Sequence, residues 1–99
     1  MSQLEARLSI ATLEAAAAAL RALAHPLRLA IVDLLKEKGE LPVKDIHGIL
    51  NIEQAVVSHH LGILKNKGVL VVRPEGNKHF YAIKDEAVAQ VLAYVEQCF

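Results

Sequence analysis

Leucines at positions 4, 8, 13, 20 and 23 recur among alanines with no Gly or Pro, which predicts one long first helix from about residue 3 to 24. It is apolar around most of its circumference, and such a helix is buried on several sides. His25-Pro26 breaks it, because the residue before a proline is pushed out of helical conformation while proline suits a first turn. A second helix follows from Pro26 to Lys38, with Leu27, Ile31, Leu34 and Leu35 inward and Gly39 as its stop. Pro42 opens a short third helix carrying Val43, Ile46, Ile49 and Leu50, and Asn51 ends it. A fourth runs from Gln54 to Lys67, closed by Gly68, with Val57, Leu61 and Leu64 as its buried stripe. The period then changes. Val69 to Arg73 reads as a strand, Pro74-Glu75-Gly76-Asn77 as a turn and Lys78 to Ile83 as a second strand, making a β-hairpin. Asp85 caps a last helix whose apolar face is Val88, Val91, Leu92, Val95 and Phe99.

The expected fold is therefore mainly α with a β-hairpin, in the order α-α-α-α-β-β-α, as a single domain over residues 1–99. Trp is absent and there are only two Phe and two Tyr, so the core must be aliphatic. With 54% of so short a chain apolar, part of that surface is expected to be buried against a second copy. Leu4 and Leu8 of the first helix and Val88, Leu92, Val95 and Phe99 of the last are the expected homodimer contacts. No stretch reads as a signal peptide or a spanning helix, so no membrane role is expected. The single cysteine, Cys98, excludes an intrachain disulfide and fits a cytoplasmic protein.

The formal net charge of zero argues against a nucleic-acid partner, but the distribution does not. Residues 51–84 carry Lys65, Lys67, Arg73, Lys78 and Lys84 against Glu53 and Glu75, a surplus of +3, whereas residues 85–99 carry only Asp85, Glu86 and Glu96. Phosphate binding needs a local positive footprint, not a basic total.

Two short helices joined by a tight turn, the second with a small, polar outer face, make a helix-turn-helix. On a helical wheel Ala55, His59 and Gly62 lie opposite Val57, with Ser58 on the flank, Gln54 at the start and Lys65 at the far end. Ser58 suits phosphates or base edges, or else the carbonyl one turn back, and His59 suits base acceptors. Gly62 costs a helix about 1 kcal/mol against Ala, so it marks either close approach of another backbone or a tolerated surface glycine. His60 reads as a packing residue and His25 as a satisfier of backbone at the helix break. Arg73, Lys78 and His79 bracket the Gly-Asn tip, so the hairpin forms a wing able to touch phosphates or the minor groove.

The stretch Gln54-Ala55-Val56-Val57-Ser58-His59-His60-Leu61 resembles the ArsR/SmtB family of winged-helix repressors. Leu64, Gly68-Val69-Leu70, the wing from Arg73-Pro74-Glu75-Gly76 through Tyr81, and the run Ala22 to Arg28 extend the likeness over most of the chain. The resemblance implies a homodimer built from the first and last helices. It also implies double-stranded operator DNA as partner, released by an effector, commonly a metal ion or a thiol oxidant. The family's sensing sites do not carry over. Leu41-Pro42-Val43-Lys44-Asp45 stands where one site has cysteines. In the last helix Asp85 matches, but Ala87 and Cys98 stand at the next two ligand positions. Zinc wants about four N, S or O ligands, so neither metal nor cofactor is expected.

An enzyme is not expected either, because Ser58, His59, His60 and the carboxylates lack the spacing of a nucleophile with its base. The alternative to a repressor is a winged-helix module for protein–protein assembly, which would not bind duplex DNA in a salt-dependent way.

Overall fold

The computed structural model describes residues 7–99, which form five helices and three strands. Helix α1 (Ile10–Leu23) begins later than the leucine pattern suggests. Ser9 is extended, and its hydroxyl oxygen accepts the Thr12 N–H at 3.0 Å and donates to Thr12 Oγ1 at 2.9 Å. This N-cap starts the helix at Ile10, so Leu8 lies outside α1, and Leu4 lies outside the described residues. Helix α2 (Pro26–Lys38) meets α1 at 93°. Its start is fixed by His25, whose Nδ1 accepts the Leu27 N–H at 3.1 Å. It ends at Gly39, whose N–H still bonds the Leu35 carbonyl at 2.8 Å and whose φ of 87° turns the chain out of the helix.

Strand β1 (Glu40–Pro42) follows, an element the sequence pattern misses. Helices α3 (Val43–Leu50) and α4 (Gln54–Asn66) come next, joined at Asn51, which adopts the left-handed conformation at φ 56°, ψ 45°. The wing is β2 (Leu70–Glu75) and β3 (Lys78–Ile83), and α5 (Glu86–Cys98) closes the chain, capped by the Asp85 carboxylate on the Ala87 N–H at 3.0 Å. Pro74 and Glu75 belong to β2 rather than to the turn, pairing with His79 and Lys78. The antiparallel sheet has the order β1-β3-β2, so β2 is an edge strand where a proline lacks only an outward N–H. Gly76, at φ 64°, is the first of two turn residues, the position glycine takes in type II′ hairpin turns.

One aliphatic core unites these elements. Ile31, Val32 and Leu35 of α2, Ile46 of α3, and Val57, Leu61 and Leu64 of α4 are buried, with Val69, Leu70 and Leu92 against them. Each such side chain stabilises the fold by about 1.5–3 kcal/mol of apolar burial. Ala22 and Leu23 are the only residues of α1 that are buried. No single helix among the described residues is long and apolar enough to cross a membrane.

Candidate nucleic-acid interface

Helix α4 is anchored from behind. Val57, Leu61 and Leu64 are all completely buried, which fixes its rotation and sends the opposite face outward. Gln54, Ala55, Ser58, His59 and Lys65 are exposed on it, and Gly62 is half-exposed. A Cβ added at Gly62 would meet nothing within 4 Å, so packing within the protomer does not demand a glycine there. Val56 is also exposed on the first turn, an apolar side chain of the kind that contacts a thymine methyl group. The sequence analysis assigns Val56 neither to the buried stripe nor to the outer face.

A buried polar hook reinforces this anchoring. His60, 8% exposed, accepts a hydrogen bond at Nδ1 from Arg28 Nε at 3.1 Å, and Arg28 Nη1 donates to the Ala22 carbonyl at 3.1 Å. The His25 ring lies 4.6 Å from that of His60, and the His59 ring 5.3 Å from it. Burial, then the positive neighbourhood of His25, Arg28 and His59, pushes the His60 pKa below the usual histidine value. His60 thus joins α4 to α2 and, through Arg28, to the end of α1. His25 caps a helix, as its place at the break suggests.

The wing stands beside α4. Lys44 on the first turn of α3, Gln54 at the start of α4, and Asn77, Lys78 and His79 of the wing line one open groove over Pro42 and Val43. Sequence reasoning misses Lys44 because the charge surplus is counted over residues 51–84, and Lys44 lies upstream of that segment. Lys78 is exposed and makes no ion pair among the described residues. Arg73 is differently placed. Its guanidinium is engaged by Glu40 and Glu75, so it does not extend the free positive charge of the wing.

The surfaces expected to hold a second copy also need revision. Leu92 is in the protomer's own core, 5% exposed, while Val88 and Val95 are half-buried and Phe99 is 97% exposed. An apolar groove runs between α1 and α5, lined by Ala16, Ala19, Leu20, Val88 and Val91 among others, and Leu20 is 54% exposed at its rim. Among the described residues no three His, Cys, Asp or Glu side chains converge, Asp85 is spent on its helix cap, and Cys98 is free and exposed.

The profile of bacterial regulatory proteins of the arsR family matches residues 25–71. An HTH-type transcriptional regulator of Methanocaldococcus jannaschii is 39% identical over 84 residues, which cover 85% of this chain and 94% of the regulator. Among solved structures, the transcriptional repressor PagR of Bacillus anthracis matches with a TM-score of 0.79 at 35% identity, over 84% of this chain and 94% of that one. A homodimeric winged helix-turn-helix DNA-binding domain from Mycobacterium bovis matches with a TM-score of 0.79 at 34% identity, over 91% of this chain and 82% of that one.

Proposed function

Because this chain belongs to the ArsR family of bacterial regulatory proteins, a family of transcriptional regulators rather than of enzymes, we propose that it is a repressor that binds operator DNA as a homodimer. The observation that carries this reading is the outer face of α4, polar, small and set on a fully buried stripe, beside the groove of Lys44, Lys78 and His79. The protein acts as a single domain in the cytoplasm, where its operator is. Gln54, Ala55, Val56, Ser58 and His59 address base edges and adjoining phosphates in the major groove, and Gly62 allows close approach of a strand. Lys65, Lys44 and Lys78 meet phosphates. Release by a small effector, a metal ion or a thiol oxidant, completes the reading on the strength of family membership.

Dimerisation is supported by the apolar groove between α1 and α5 and by the homodimeric state of the M. bovis relative. Two copies also double a modest positive footprint, which raises affinity without new contacts within either protomer. Selection of duplexes from a random pool, followed by light scattering of the free protein and of Leu20→Asp, tests the proposal. A selected motif with two-fold symmetry, a dimeric wild type and a monomeric, weakly binding variant are expected. A dimer that selects nothing and shows no salt-dependent duplex binding would favour a protein–protein assembly module.

A further inference from the structure

Arg73 carries one of the five cations that make the wing region basic in sequence, yet its geometry is that of a tie rather than a phosphate contact. In the sheet Arg73 lies opposite Phe80 of β3, and Phe80 lies opposite Pro42 of β1. The guanidinium passes over the Phe80 ring, 4.8 Å from its centroid, and reaches across the middle strand to Glu40. There Nη2 meets Oε1 at 2.7 Å and Nε meets Oε2 at 3.1 Å, the two-pronged match that only an arginine makes with a carboxylate. Nη1 donates to Glu75 at 2.6 Å. The guanidinium holds the Glu40 carboxyl below the usual carboxylate range. One cation between two carboxylates leaves a local charge of −1, which repels a phosphate.

We propose that Arg73 is a positioning residue: braced by Glu75 on its own strand, it ties the wing to β1 through Glu40 and so fixes the spacing across the groove between Lys44 and Lys78. β1 runs directly into α3, whose second residue is Lys44, while β2 and β3 carry the wing tip, so the tie spans the base of both groove walls. This inference rests on the reading of that groove as a backbone-binding surface.

Glu40→Gln tests it, because two accounts predict opposite signs. Glu40 is exposed, so the fold tolerates the change. If Arg73 is a phosphate contact restrained by Glu40, removing the carboxylate frees it and duplex binding tightens. If Arg73 positions the wing, binding weakens on the order of two- to tenfold despite the removal of a negative charge. The loss should vanish in a Lys78→Ala background, since the tie acts through the wing tip. In the free protein, amide exchange at Asn77, Lys78 and His79 should quicken in Glu40→Gln, and Arg73→Lys should reproduce the defect because an ammonium lacks the fork. Tighter or unchanged binding by Glu40→Gln, unaltered exchange, or a full additional loss in the double variant would overturn the proposal. A wild-type protein that binds no duplex would instead overturn the DNA reading, and the exchange measurement would still judge the tie.

Discussion

Helix α4 and the wing border one groove but are held there by different forces. Helix α4 is fixed by three completely buried aliphatic side chains and by His60, hydrogen-bonded under its surface. The wing is a two-stranded extension whose tip is exposed, steadied by ion pairs in contact with water. Apolar burial is not weakened by ionic screening, whereas exposed ion pairs are. Raising the salt should therefore leave the orientation of the helix unchanged, while the wing's placement depends on its ionic surroundings. That division suits a helix that reads bases, where a small misplacement breaks a hydrogen bond, and a wing that meets phosphates, where charge tolerates movement.

The contrast breaks most visibly in the core. Leu61→Ala should cost about 2–5 kcal/mol of stability, measured by urea unfolding, because it opens a cavity behind α4. A loss below about 1 kcal/mol would mean that the stripe does not anchor the helix. Gly62 gives a smaller effect with two signs. Gly62→Ala should stabilise the free protein by up to about 1 kcal/mol, since its added methyl meets nothing. It should nonetheless weaken duplex binding if a strand passes close by. A variant that is more stable and binds as before would make Gly62 an ordinary surface glycine.

The smallest effect is one of pH. The His60 pKa lies below the ordinary value, so the unfolded chain binds the proton more readily than the folded one. Stability contributed by neutral His60 is present above the ordinary histidine pKa of about 6.5 and is lost as pH falls below it toward the depressed folded value. Acid should therefore lower the melting temperature of the wild type more than that of His60→Gln, which keeps an acceptor for Arg28 without titrating in this range. Parallel pH profiles for the two proteins would remove His60 from the anchoring of α4.

Which parts are legible in sequence follows from the same contrast. The bounds of α2 and β3 and the inward stripe of α4 are readable because local signals, Gly39, Gly76 and an i, i+4, i+7 spacing, coincide with the forces that set them. β1 is not, since three residues carry no period and are held by pairing with Phe80 to Ala82 far along the chain. The leucine pattern misplaces the start of α1 because it reads through the break at Leu8 and Ser9, where the serine caps the N-terminus of the helix. On the wing, segment charge gives Arg73 a free cation, but Glu40, 33 residues away, neutralises it, and a charge count by segment cannot see a partner outside the segment. The same count hides Lys44. Leu92 marks the apolar face of α5 correctly but not which side of it the protomer keeps for itself.

The division of labour between helix and wing is tested most directly by salt titrations of the wild type, His59→Ala and Lys78→Ala on a selected duplex and on its scrambled counterpart. His59→Ala should lose about 1–3 kcal/mol on the selected duplex and little on the scrambled one, with the salt slope unchanged. Lys78→Ala should weaken both duplexes by similar factors and flatten the slope by about one unit for each phosphate that a subunit no longer neutralises. The opposite pattern, His59→Ala weakening both duplexes alike while Lys78→Ala affects only the selected one, would contradict the account.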